Sequence, residues 1–579
     1  MIGTLKAKLQ KREVREVSDT ARQYMEYYER AVRHMSGEGV FDSIKQNDEY
    51  WRGRQNEAES DTDPASSVNI VHPTIEGQVS LLVEQNLSVT ALPVTPSDKP
   101  AAEKATAILE FIKSRNKMPR VIERHERRRE KYGWGVLRVI FAPKALGGMG
   151  LPVIECVANH NVLIDPCITD PLKLQEAEFV IERVVKSIYW ARETYGEKAD
   201  EIQENYYPYG DLDVFGEDQR DGDNPKYVHL LVWTKKDGKL RLVEMSSDGV
   251  ILSDSGDQES FYAAARYPYF ITPLYETEGS LYGMGDAELL APLQDLINDL
   301  DDQIRLNARL TGNPQRLIET SSGIDLDSLT NEPGLNIPVT NINAVRDLQP
   351  KDLPDYIVER RNLALQYEVQ KISRFSDQMT GTKQSGVDTA TESLALQQSG
   401  SQGIAFKKFI LQDTLSDVFT YAYELCMEFW TKEITMRTSD EESEFYSVNP
   451  AELREVPVLR GNDETGTFEE TGEKKPAELD ITVSVGAGLP SNKAFQYNMM
   501  RELTQLGIIS PQEFREWLVK SFGLMVDTAM QPVQGAGQNV PNSVPMGSMQ
   551  GVPNADIEGL NANGNVEQPT PQSMGGGVI

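Results

Sequence analysis

Cysteine is scarce. Cys156, Cys167 and Cys426 are the only three in 579 residues, and no two stand at metal-ligand spacing. Neither a disulfide framework nor a zinc site is expected, and a reducing compartment fits. The five histidines, His34, His72, His125, His160 and His229, are scattered, and no H-E-x-x-H pair occurs. Positive charge is also short, with 58 Lys and Arg against 89 Asp and Glu and a formal net charge of −31. Holding phosphate over a broad surface needs cations, so a broad nucleic-acid-gripping face is not expected. No stretch approaches the ~20 apolar residues of a membrane span. The opening residues Met1-Ile2-Gly3-Thr4-Leu5-Lys6 carry no apolar signal region. These two features predict an intracellular protein with no membrane partner. The chain has no G-x-x-x-x-G-K-[ST] loop, since Gly381-Thr382-Lys383 lacks the spacing and the preceding strand, and it has no G-x-S-x-G elbow. No cofactor and no catalytic residue are therefore expected.

What is present is enough apolar material, 39% of residues, for two to four core-forming regions. Ala21, Tyr24, Met25, Tyr28 and Ala31 recur at helical steps and predict one helix over 16–50. Ile70, Ile75, Val79, Leu82 and Val83 predict a second helix, ending near Asn86, followed by an extended piece from Val89 to Pro96. Further helices are expected from Pro100 to Asn116 and from Pro119 to Tyr132. The basic run within the last of these, His125-Glu126-Arg127-Arg128-Arg129-Glu130-Lys131, is expected to be a solvated face with its own ion pairs. Residues 135–275 are rich in β-branched alternation, with a hairpin signal at Asp237-Gly238. Residues 211–223 are acidic and predict a loop, as do residues 437–475. Leu479 to Val485 reads as a strand, followed by helices over 492–506 and 511–522. From Gln531 onward the composition is Gly, Pro, Gln, Asn and Ser, which predicts disorder.

Residues 283–432 are the most informative. Gly283-Met284-Gly285-Asp286 opens a long helix whose apolar stripe is Leu289, Leu293, Leu296, Leu300 and Ile304. Asp295, Asp299 and Asp302 share another face of it, and Gly312-Asn313-Pro314 stops it. Such an acid cluster could hold Mg²⁺ for phosphodiester chemistry, but a solvated helix face is the stronger expectation. A small unit with short strands (Arg316 to Ile318, Leu335 to Val339) follows, then a second long helix from Pro354 to about Phe375. After a polar, Gly-flanked segment holding Lys383 comes a third long helix, from Thr389 or Ile404 to Lys432. Its Phe406, Phe409, Ile410, Leu415, Phe419, Ala422, Leu425, Cys426 and Phe429 predict a wide buried face.

This order of elements resembles the portal proteins of tailed phages, over roughly residues 40–525. The local wording agrees: Trp51-x-Gly53, Asn69-Ile70 through Asn86 and Pro96, Tyr132-Gly133-Trp134-Gly135 before a strand, Ile164-Asp165-Pro166, Pro268-Tyr269-Phe270, and Gly283-Met284-Gly285 followed by Gln294. Thr389-Ala390-Thr391-Glu392 is similar to the family's step after its tunnel loop. The short motifs are individually unspecific, and their order and spacing carry the likeness.

The resemblance implies an α+β, portal-like fold. It implies a mixed α/β wing over 1–282, a stem helix over 283–312, a clip over 313–353 and a second stem helix over 354–377. A tunnel loop and the start of the long helix would occupy 378–403, that helix and an acidic β/loop insert 404–478, a helical crown 479–530, and a disordered tail 531–579. It implies a dodecameric homo-oligomer at the capsid vertex, assembled in the host cytoplasm, through which double-stranded DNA passes. Terminase large subunit and head-tail adaptor proteins would dock at Arg316, Glu319, Asp325 and Asp327, and major capsid and scaffold proteins would meet the wing. Lys383, Gln384 and Ser385 would touch DNA. Asp295, Asp299 and Asp302 would face the channel, and the leucine stripe would pack the stem. The alternatives are another self-assembling virion scaffold protein and a metal-dependent nuclease built on the Asp295 cluster.

Overall fold

The computed structural model describes residues 18–56, 68–83, 87–209, 214–216, 224–312, 315–318, 345–348, 353–373, 390–437, 445–462 and 467–485, with a few positions between 500 and 515. The chain divides into two compact units, Met1–Leu489 and Pro490–Ile579. Apart from those few positions, the helices expected over 492–506 and 511–522, and the tail from 531, lie outside the described residues.

The first unit opens with helices α1 (Asp19–Gly37) and α2 (Val40–Arg52). The sequence predicts one helix here, and the structure breaks it. Gly39 takes φ +69°, a left-handed conformation that favours glycine, and starts a new helix. Helices α3 (Val71–Val83), α4 (Lys99–Arg115) and α5 (Met118–Tyr132) follow, with strand β1 (Leu87–Pro93) between the first two. Gly133, at φ +84°, ends α5 and turns the chain into β2.

The strand-rich region forms two antiparallel sheets. One contains β2 (Trp134–Ala142), β3 (Leu151–Val157) and a later strand, β9, in the order β3-β2-β9. The other runs β4-β5-β6-β7-β8, from β4 (Val162–Ile164), β5 (Phe179–Ser187), β6 (Lys226–Lys236), β7 (Lys239–Ser246) and β8 (Ile251–Asp254). The short helix α6 (Ile188–Tyr195) leaves β5. Asp237 and Gly238 both take positive φ (51° and 75°) in the β6–β7 turn, as the Asp-Gly signal predicts. Strand β9 (Tyr269–Pro273) and the hairpin β10 (Tyr275–Thr277) with β11 (Ser280–Met284) lead into helix α7 (Asp286–Gly312).

Strands β12 (Gln315–Ile318) and β13 (Val345–Leu348) pair antiparallel beyond α7, and the expected strand at Leu335 to Val339 lies outside the described residues. Helix α8 returns as Asp355–Leu363, a π-helical turn Ala364–Glu368, and Val369–Ser373. Helix α9 (Ala390–Phe429) is the longest element among the described residues.

One expectation is corrected in this part of the chain. Residues 437–475 are not simply loops. β14 (Ile434–Arg437) pairs with β15 (Phe445–Val448), and after helix α10 (Pro450–Arg454), β16 (Val456–Asn462) pairs with β17 (Thr467–Lys475). Their acidic, Gly-containing sequence hides a ladder made by the backbone. Strand β18 (Leu479–Val485), which the sequence predicts, belongs to the first unit and pairs antiparallel with β1 from Leu87↔Val485 to Pro93↔Leu479.

One core cluster unites α1, α4, α9 and the two sheets, and separate clusters form around α7 and α6. Helix α9 contributes Leu411, Leu415, Val418, Phe419, Ala422, Leu425 and Cys426, all fully buried against α4, β2, β3, β9 and β18. The expected burial of Phe406 and Phe409 is overturned, since they are 50% and 66% exposed, and Phe429 is partly exposed at 38%. The buried arc of α9 is narrower than its apolar arc. Among the described residues, no helix is long and apolar enough to cross a membrane.

Candidate functional site

Helix α7 starts where two glycine motifs meet backbone to backbone. A Cβ on Gly133 would stand 1.9 Å from the Gly283 carbonyl oxygen, and one on Gly285 would stand 2.7 Å from the Glu130 carbonyl oxygen. The Leu274 amide donates to the Gly133 carbonyl at 2.7 Å. Glycine is required here for close approach as well as for φ. The motifs Tyr132-Gly133-Trp134-Gly135 and Gly283-Met284-Gly285, distant in sequence, are thus two halves of one joint.

From that joint α7 buries Ala287, Leu290, Leu293 and Ile297 against Tyr50 of α2, Ile70 and then Val71, Ile75 and Val79 of α3, and Ala364 of α8. Of the predicted stripe, Leu293 and Leu300 are buried, Leu296 packs at the edge of this cluster, and Leu289 and Ile304 are half-buried. The buried arc is therefore shifted toward Leu290 and Ile297. It also includes polar groups. Gln294 accepts from the Ile70 amide at 2.8 Å and donates to the Val68 carbonyl and to Asn298, each at 2.9 Å. A buried amide with three partners fixes the start of α3 on α7.

The three predicted acids differ from one another. Asp299 is exposed. Asp295 is exposed too, yet its carboxylate accepts the Tyr50 hydroxyl (2.7 and 2.9 Å); burial, and then that carboxylate, push the phenol up to about 12. Asp302 is half-buried and accepts from Asn56 at 3.2 Å. Their neighbour Asp301 is buried and pairs with Arg361 of α8 at 2.5 Å, joining the two long helices. Among the described residues, no three His, Cys, Asp or Glu side chains gather as a metal set. Lys383, Gln384, Ser385, Glu319, Asp325 and Asp327 lie outside the described residues. Arg316 is in β12, paired in register with Asp347 of β13.

The basic run of α5 is where the sequence misleads most. It is not a solvated face: His125, Glu126, Arg129 and Glu130 have no exposed surface, and Lys131 has 5%. Only Arg127 and Arg128 are half-covered. Arg127 makes a bidentate pair with Glu76 of α3 (2.7 Å twice). Lys131 pairs with Asp48 of α2 and lies 4.0 Å from the Trp51 ring centre; burial lowers its pKa against the pull of Asp48.

At the centre is Lys407 of α9. Its ammonium donates to Glu130 (2.6 Å), Asp286 (2.7 Å) and Gln78 of α3 (2.5 Å). Arg129 pairs with Glu126 and donates to the Lys407 carbonyl at 3.1 Å, and Glu126 meets the His125 ring at 2.8 Å. Burial drives Glu130 up to about 8 despite Lys407, with Asp286 adding to the rise. On Glu126, burial pushes upward, but Arg129 and His125 outweigh it and the pKa falls. None of these residues is a sequence-predicted site residue. The available signal was a lysine between Phe406 and Phe409 on the helix, and an acid directly after Gly283-Met284-Gly285.

Two long helices bracket a strand pair and join a mixed α/β body through a glycine joint. Residues 145–520 match the family described as phage SU10 portal protein, and the chain belongs to that family, the portal proteins of tailed phages. It is accordingly a virion capsid component of a family that is structural rather than enzymatic. No curated protein matches the chain.

Proposed function

We propose that the chain is the ring subunit at the unique capsid vertex, through which double-stranded DNA is packaged and ejected. The family match across the long helices and the segment between them carries this reading. A second observation supports the ring. In the single subunit Tyr356, Leu363 and Tyr367 of α8 are 67%, 47% and 58% exposed, and Phe406 and Phe409 of α9 are exposed too. Large apolar side chains left open on long helices suit burial by neighbouring copies.

In this reading α7 and α8 are the stem, and the segment 313–353 is the clip, where terminase large subunit docks and adaptors replace it through Arg316, Glu319, Asp325 and Asp327. The β-rich body is the wing facing capsid and scaffold proteins. A dodecamer of a chain with net charge −31 presents acidic walls that repel phosphate and leave DNA free to slide, an effect confined to about 8–10 Å by salt. Asp299 is the freest of the acids to serve that wall, and Asp295 and Asp302 serve it while tied to Tyr50 and Asn56. Lys383, with Gln384 and Ser385, supplies a weak, reversible phosphate contact.

Negative-stain electron microscopy of the purified protein tests the reading. Rings with a hole wide enough for duplex DNA support it, and a discrete small oligomer without a hole favours a scaffold protein. Leu296→Asp is expected to block ring formation, and normal rings from that variant would move the stem elsewhere.

A further inference from the structure

The Lys407 cluster is unbalanced. Glu126, Glu130 and Asp286 supply three carboxylates, while Arg129 and Lys407 supply two fixed cations, and each of these five side chains is at most 3% exposed. Full ionisation of these five groups leaves one net negative charge without solvent, which protein interiors relieve by keeping a proton. The hydrogen bonds point to where it sits. Glu130 Oε1 receives no donor, and neither does Asp286 Oδ1, so the second oxygen of each acid facing Lys407 is unsupported as an anion. The groups around Glu130 come from every element packed on it: Gln78 of α3, Asp286 of α7, Lys407 of α9, the Tyr275 ring of β10 about 6.0 Å from the Lys407 nitrogen, and His125, Glu126 and Arg129 on its own helix.

We propose that this cluster is a proton-held clasp, in which one proton kept on Glu130 lets Lys407 tie helix α9 to the first residue of α7 at the glycine joint, and loss of that proton loosens the tie. The clasp lies where α7 leaves the packed body, so it sets how firmly the long helices are anchored. The inference does not depend on the portal reading. The sign follows from linkage. Glu130 binds its proton more tightly when the clasp is closed than when it opens to water. Opening therefore becomes easier as pH rises from the ordinary glutamate range toward about 8, and levels off above it.

Infrared titration of the full chain reads the proton, and hydrogen exchange reads the clasp. At pH 6 the protein should show the C=O stretch of a buried carboxylic acid, fading with a midpoint near 8 and absent in Glu130→Gln. The opening constant of peptides covering 125–132, 283–290 and 404–411, corrected for intrinsic exchange, should rise about tenfold per pH unit between roughly pH 5.5 and 7.5, and stay flat in Glu130→Gln. Asp286→Asn removes one negative charge while keeping an acceptor for Lys407, so it should shift the band's midpoint to lower pH. It provides the same test if Glu130→Gln does not fold. Absence of the acid band, an unchanged midpoint in Asp286→Asn, or equal pH slopes in wild type and Glu130→Gln would each overturn the clasp.

Discussion

Asp286 and Asp299 lie on the same helix and meet opposite environments. Asp286 is sealed at 1% exposure against Lys407, while Asp299 faces solvent. The same contrast holds on α9, where Lys407 is buried at 3% and its neighbours Phe406 and Phe409 are open. Residue type therefore does not decide which side of these helices is interior. Around the glycine joint, several elements converge and bring enough partners to hold charge without water. Past Asp301, most of α7 is exposed or half-covered, so its acids and apolar groups remain available to another surface.

The contrast can be broken most sharply at its buried end. Lys407→Met removes the cation and leaves the carboxylates of α5 and α7 facing each other. Denaturant unfolding should show a loss of about 3–5 kcal/mol, and a loss below about 1 kcal/mol would mean that water already reaches the cluster. A buried group that stays neutral gives a second test. Burial, and then Lys186, hold His229 down at about 4, below its ordinary 6.5. The unfolded chain then binds a proton that the folded chain refuses, so this contribution is present above pH 6.5 and is lost as pH falls toward 4. His229→Phe should flatten that acid limb by roughly 3 kcal/mol, read from stability at pH 7 against pH 4. Gly133→Ala forces a Cβ onto the Gly283 carbonyl at a left-handed φ, and should cost at least about 2 kcal/mol in thermal or denaturant unfolding. At the open end, Asp299→Asn should change stability by less than about 0.5 kcal/mol, and a larger effect would place that acid in a contact the single subunit does not show.

Much of the architecture could be read from the chain. The long helices, the strand-rich middle, the Asp-Gly hairpin and the strand at 479–485 follow from apolar periodicity and turn chemistry, which are local. The misses share a cause. The break at Gly39 depended on which of two glycines, Gly37 or Gly39, the packing would use. The strands over 434–475 are held by backbone pairing that an acidic, Gly-bearing sequence does not advertise. The run His125 to Lys131 has the composition of a solvated helix, and only neighbours supplied by α2, α3 and α9 make its burial tolerable. The Lys407 cluster was invisible for the same reason, since its members come from residues 78, 125–130, 286 and 407.

The sequence by itself determined the family resemblance, the order of elements and the acidic character, because these are sums and periodicities along the chain. The tertiary structure alone decided which charges are buried, which apolar faces stay open, and that two glycine motifs far apart in sequence form one joint. Burial is a property of what surrounds a residue, and a charge can leave water only when its partners arrive from elsewhere in the fold.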